Sequence, residues 1–211
     1  MSHDGHSIVI GLTGQTGAGK STVSKIFVRE GFQIIDADRI SRDVVELGTP
    51  CLSELLDYFG EEIRNEDGTL NRKALAKIVF NDKGRLDALN SICHPFITEE
   101  ILARISRMKA QGHELILLDA PTLFESKAAD FCDLIISVVA SPDLRRERII
   151  ERDALTPLEA KERMSAQLDE EFFITHSDYV IRNDEDLQQL YALSEEIADK
   201  IKAYYHTTHI S

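Results

Sequence analysis

The chain has 211 residues, 43% hydrophobic and 29% charged, with a formal net charge of -13. That is a globular composition with enough chain to bury a core, and its acidity argues against a dedicated nucleic-acid binder, which carries a basic footprint. No apolar run reaches the length of a membrane span, and Cys51, Cys93 and Cys132 are too few and too scattered for a disulfide framework or a zinc site.

The cysteines therefore read as small core residues of a protein kept in a reducing compartment. The opening "MSHDGHSIVI" has no basic region followed by a long apolar one, so a cytoplasmic location is expected. His3 and His6 within it read as part of a frayed terminus, not as metal ligands.

In chain order, "SIVIGLT" reads as a buried strand and "KSTVSKIFVREG" as a helix closed by Gly31. "FQIID" is a second strand. "ELILLD" at 114–119, "DLIISVVA" at 133–140 and "SDYVIRN" at 177–183 supply three more. Runs that are apolar throughout and separated by helices predict an α/β fold, with a five-stranded parallel sheet covered by helices on both faces.

Between the second and third strands the pattern turns helical. "PCLSELLDYFG" starts at Pro50, "NRKALAKIVF" follows the turn "NEDG", and "HPFITEEILARISRMKAQG" is expected to begin at Pro95 as its first helical position. A helical insertion there suits an acceptor-binding subdomain. After the fourth strand, "SPDLRRERIIERD" places Ser141 at an N-cap and Pro142 at the first helical position, and "TPLEAKERMSAQL" spaces Thr156 and Glu159 as a capping box. Two short arginine-rich helices suit a mobile lid. "DEDLQQLYALSEEIADKIKAYY" closes the chain as an amphipathic helix. The expected division is a nucleotide-binding core of 7–37, 113–141 and 177–211, an acceptor-binding domain of 38–112 and a lid of 142–176.

Gly14 to Ser21, "GQTGAGKS", fits the phosphate-loop pattern, with a strand before it and a helix after it. Its glycines let successive N–H groups turn into one concavity, and the helix N-terminus adds further unsatisfied donors. Gly14, Gln15, Thr16, Gly17, Ala18, Gly19, Lys20, Ser21 and Thr22 are thus the expected ATP-binding residues. Lys20 reaches the phosphates and the Ser21 hydroxyl helps hold Mg2+. The N-K-x-D element that reads guanine in GTPases is absent, and motor ATPases need more chain than this. A short chain with a helical insertion and an arginine-rich lid fits a small-molecule kinase.

"QIIDADRISRDVV" sets Asp36 and Asp38 at the C-terminal end of the second strand, where open α/β sheets place their ligands. An acceptor hydroxyl needs a carboxylate to orient it and take its proton. Asp38 is the candidate base. Asp36 is a candidate for Mg2+, and one of the pair is equally suited to cap the next helix. Asp119 at the end of "LILLD" is a further metal candidate. Arg145, Arg148 and Arg152 share one helical face; Arg145 and Arg146 read as solvated residues in a ladder with Glu147 and Glu151.

Taken together, "GLTGQTGAGKST", "IIDADRISRDVV", "NEDGTLNRKALAKIVF", "HP" at 94–95, "APTLFES", "RIIERD" and "ERMSAQ" resemble the dephospho-CoA kinase family, in that order and over about residues 8 to 200. The resemblance implies a phosphate-loop kinase fold with a helical CoA-binding domain and a lid. It implies ATP-dependent phosphorylation of the ribose 3′-hydroxyl of dephospho-CoA, the last step of coenzyme A synthesis. The expected ligands are then ATP, Mg2+ and dephospho-CoA, with no protein partner. By position, Asp38 falls on the family's catalytic aspartate, Lys20 on its ATP phosphate site, and Arg148 and Arg152 on its lid arginines. Arg163 and Gln167 fall on its R-x-x-x-Q spacing. His94, Pro121, Leu123, Glu125 and Arg163 align with acceptor-facing positions and Asn183 with an adenine-side one. Gln15, Thr16 and Ala18 depart from the family's commoner loop GGIGSGKS, and Thr122 stands where Leu is usual.

Overall fold

The computed structural model describes residues 7–80 and 82–209; His3 and His6 lie outside them. Among the described residues there are five strands: β1 (Ile8–Gly14), β2 (Gln33–Asp36), β3 (Leu115–Asp119), β4 (Leu134–Val139) and β5 (Tyr179–Arg182). They form one sheet in the order β2-β3-β1-β4-β5. β1 pairs in parallel with β3 and β4, and β4 in parallel with β5.

β1 lies at the centre, and its alternation explains why it is apolar on both faces. Ile8, Ile10 and Leu12 join the main core with Val23 and Phe27 of α1 (Lys20–Arg29) and Leu190, Ile197, Ile201 and Tyr205 of α9 (Leu187–His209). The intervening Gly11 turns to the other face, where an added Cβ would stand 2.7 Å from Leu123 and 2.9 Å from the Cys132 sulfur. Both faces are covered, as parallel strands require. In α9 the buried positions Leu190, Ser194, Ile197, Ala198, Ile201 and Tyr205 recur at helical spacing.

Contacts divide the chain into two compact units, one of residues up to 35 with those from 105 onward, the other of 36–104. The second unit has its own core of Cys51, Leu52, Leu55, Leu56, Phe59, Ile63 and Leu75. Its helices are α2 (Ala37–Asp43), α3 (Pro50–Phe59), α4 (Arg72–Val79) and most of α5 (Lys83–Ala110). The expected helix start at Pro95 is not there: α5 runs unbroken through it. A proline inside a helix removes one backbone hydrogen bond, at a cost of about 3 kcal/mol. Leu89, Ile92, Cys93 and Phe96 form a continuous apolar stripe across Pro95, packed on this core, and that packing carries the helix through. Asp82 caps its start by accepting from the Arg85 N–H at 3.0 Å.

All three cysteines are free thiols. Cys51 and Cys93 stand with their sulfurs 3.7 Å apart, and burial pushes the Cys51 thiol up to about 12 and Cys93 upward as well.

The first unit also carries α6 (Pro142–Asp153), α7 (Pro157–Ser165) and α8 (Glu170–Thr175). Thr156 and Glu159 form the expected capping box on α7. Ser141 occupies the N-cap of α6 without a side-chain cap bond; its N–H instead donates to Asp184 at 2.6 Å. Phe124 meets Phe172 and Phe173 edge-on, and Phe172 stacks on His176 at 3.9 Å. This aromatic group ties the segment after β3 to α8.

Candidate active site

The turn from β1 into α1 is a loop whose carbonyls are tied on the outside. Gln15 O accepts from the Ala18 N–H at 3.0 Å. Thr16 O accepts from Arg145 Nε at 3.0 Å, Gly17 O from Arg148 Nη1 at 3.4 Å, and Ala18 O from Asn183 Nδ2 at 2.8 Å. Among the described residues, the N–H groups of Gly17, Gly19, Lys20 and Ser21 make no hydrogen bond. Four unpaired donors within five residues at a helix N-terminus make a cradle for a polyanion.

Two glycines make the loop possible for different reasons. Gly17 has φ +79° and sits so close to α6 that a Cβ would lie 2.7 Å from the Arg145 carbonyl oxygen. Gly19 has φ +100°, with a Cβ position 2.5 Å from Asn183 Nδ2. Any side chain at either position would meet strained backbone and a filled space. Ala18 is fully buried and Gln15 nearly so, so both act through their backbone or from inside the fold.

The Lys20 ammonium is ion-paired with Asp119 at the end of β3. Ser21 is exposed in the first turn of α1, and the Thr22 N–H bonds Gly19 O at 2.9 Å. Among the described residues no group of three or more His, Cys, Asp or Glu side chains could hold a metal alone. Mg2+ at a phosphate loop needs no such cage, because substrate phosphates complete its shell. The Ser21 hydroxyl and the Asp119 carboxylate, both at the loop, fit that requirement.

The arginines of α6 and α7 differ from one another. Arg145, expected in solvent, is 4% exposed and lies against Thr16; it is the corrected member of the set, since α6 turns that face into the loop. Burial pulls its pKa below the usual arginine value, although Glu170 opposes this. Arg146 stays outside and pairs with Asp143 at 2.9 Å. Arg148 bridges Gly17 O and, at 3.2 Å, Asn183 O. Arg152 makes two hydrogen bonds with Asp153, at 2.8 and 2.7 Å, and Arg163 pairs with the same carboxylate. The hydrogen bonds from Arg152 hold Asp153 down at about 2. Gln167 accepts the Thr16 N–H at 2.8 Å.

Asn183, expected toward adenine, struts the loop through Ala18 O. Leu123, expected on the acceptor side, is fully buried against Gly11; its alternation in the segment after β3 turns it into the core. Pro121 is half-buried and its carbonyl accepts from Thr13 Oγ1 at 3.1 Å; Glu125 is exposed.

In the other unit, Asp36 is the N-cap of α2, with Oδ1 accepting from the Arg39 N–H at 3.0 Å. It takes this capping position because α2 begins directly after β2. Asp38 lies exposed in the first turn of α2, with its carbonyl accepting from Ser41 Oγ at 2.8 Å. His94 is exposed on α5.

The roles of Arg145, Gln167 and Asp153 were missed or undervalued from sequence. The R-x-x-x-Q spacing singled out Gln167 without saying what it touches. No local pattern separates Arg145 from Arg146.

The sheet order, the strand–loop–helix cradle and its lysine, and an arginine-bearing helical pair beside the loop define a phosphate-loop kinase. Residues 8–189 match the family model described as dephospho-CoA kinase. A dephospho-CoA kinase of Listeria monocytogenes is 43% identical over 180 residues, covering 85% of this chain and 90% of that one. A solved protein from Thermus thermophilus superposes with a TM-score of 0.78 at 32% identity, covering 92% of this chain and 98% of its own. A solved dephospho-CoA kinase from Campylobacter jejuni gives 0.72 at 26% identity, with 92% and 97% coverage. The chain belongs to the dephospho-CoA kinase family: it is an ATP-dependent kinase of dephospho-CoA.

Proposed function

We propose that the loop, the lid and Asp38 divide the work of this reaction, with the ribose 3′-hydroxyl of dephospho-CoA as the group phosphorylated and ADP as the second product. The observation that carries the proposal is the loop itself, with four unpaired N–H groups inside and its carbonyls tied outside. Such donors need no reorganisation when charge develops on the transferring group.

In this reading residues 14–22 bind the ATP phosphates, and Lys20 exchanges Asp119 for a phosphate oxygen. Asp38 orients the acceptor hydroxyl and accepts its proton. Arg148 and Arg152 neutralise charge on the bridge, and the segment 142–176 acts as the lid that keeps water from the phosphoryl group. The unit 36–104, with His94, is the acceptor-binding domain; Pro121, Glu125 and Arg163 contribute from the core and lid. Ser21 and Asp119 would hold Mg2+, which when bound screens the phosphate charge.

The test is ADP release from ATP with and without dephospho-CoA, with the product's phosphate position mapped, in the wild type and Asp38→Asn. Acceptor-dependent release of a 3′-phosphorylated product, with kcat lowered about 10²- to 10⁴-fold in Asp38→Asn, is expected. Phosphate at another position would reject the regiochemistry. Near-full activity of Asp38→Asn would remove Asp38 as the base while leaving the reaction intact.

A further inference from the structure

One residue of the phosphate loop is held on both sides by the helices that follow β4. The Thr16 N–H donates to Gln167 at 2.8 Å, and the Thr16 carbonyl accepts from Arg145 Nε at 3.0 Å. Gly17, next along, packs on the backbone of Arg145 itself. The loop therefore takes its curvature from α6 and from the turn just past α7.

Arg145 is a poor choice for stability alone. It is 4% exposed, and its Nη2 finds no acceptor among the described residues. A buried cation with an unused donor weakens the folded state relative to an apolar side chain of similar length. Met at this position would retain most of the packing without the unpaired charge. Beside Arg145 lies a cavity of ≈730 Å³ lined in part by Gln15, Lys161, Met164 and Gln167. The Gln15 Oε1 on its wall is equally unpartnered. Lys20, Ser21, Asp119, Arg148 and Arg152 do not line this cavity, so Arg145 faces away from the phosphate cradle while gripping its back.

We propose that Arg145 is a positioning residue for ATP: by drawing the Thr16 carbonyl outward it holds the following peptide N–H groups turned toward the phosphates. Gln167 secures the same residue from the other side, so the loop is anchored at Thr16 by two long-range side chains. The inference rests on residues 14–22 being the ATP phosphate site. Arg145 touches neither substrate, and its effect runs through Thr16 and Gly17.

The experiment compares wild type, Arg145→Met, Arg145→Ala and Lys20→Ala by thermal melting, direct ATP binding and steady-state kinetics. Arg145→Met is expected to melt at or above the wild-type temperature while its KM for ATP rises about tenfold, the effect of one lost charge-assisted hydrogen bond. KM for dephospho-CoA stays unchanged. Added guanidinium, which the adjoining cavity admits, restores ATP affinity to Arg145→Ala but not to Arg145→Met. A structural role gives the opposite pattern: a lowered melting temperature, or failure to fold, in Arg145→Met, with both KM values moving together and no rescue. That pattern, or a wild-type KM for ATP in Arg145→Met, overturns the proposal. Lys20→Ala separates the premise from the inference. If it binds ATP as wild type does, the loop assignment itself fails; if it loses ATP and Arg145→Met does not, only the positioning role falls.

Discussion

The phosphate loop and the α6–α7 pair handle charge in opposite ways. In the loop the working groups are backbone N–H donors, kept unpaired by curvature and by side chains that take the carbonyls behind them. In α6 and α7 the working groups are long side chains, and Arg152 and Arg163 are both held by the single carboxylate of Asp153. Backbone donors are rigid and ready before the ligand arrives. Ion-paired arginines at the surface exchange partners at little cost. The contrast teaches that one region is built as a fixed mould and the other as a set of movable charges.

Gly17→Ala is the most direct way to break the mould. The new Cβ would sit 2.7 Å from the Arg145 carbonyl at a φ of +79°, a distortion on the order of 3 kcal/mol. More than about a hundredfold loss of ATP affinity follows; near-wild-type binding by calorimetry would show that the loop tolerates reshaping. Asn183→Ala is milder. It strips Ala18 O of its 2.8 Å partner, and a stranded buried carbonyl costs about 1–3 kcal/mol. KM for ATP should rise roughly tenfold with kcat kept, whereas a loss confined to kcat would place Asn183 in the chemistry.

At the end of α6, Asp153→Asn should do least. It releases Arg152 and Arg163 from their shared carboxylate, and a surface pair of this kind changes kcat/KM by less than about threefold. A large loss would mean that Asp153 sets the arginines' position. The same residue yields a pH test. The Asp153 carboxyl is held at about 2, below its ordinary 3.8, so its contribution to stability is present above 3.8 and lost as pH falls toward 2. The melting difference between wild type and Asp153→Asn should therefore close over that window. A difference that persists at pH 2 would deny the carboxylate any part in it.

Much of the fold was legible because its signals are local. Five apolar runs became five strands, and the glycine loop stood between the strand and the helix that its pattern demands. The capping box at Thr156 and Glu159 appeared where its spacing placed it. Pro95 misled because proline is a local signal for a helix start, and here a stripe of Leu89, Ile92, Cys93 and Phe96 overrides it. Which of Asp36 and Asp38 caps the next helix could not be told in sequence, since that depends on the residue at which β2 gives way to α2. Leu123 looked like a site residue and is core, because which face a loop residue takes is decided by what packs over it.

What the sequence determined by itself is the nature of the chemistry: a strand, a glycine loop and a lysine at fixed spacing can bend a backbone around phosphates wherever they occur. What only the tertiary structure decided is who holds that loop in shape. Arg145, Arg148, Gln167 and Asn183 reach it from 129 to 165 residues away along the chain, within hydrogen-bond distance.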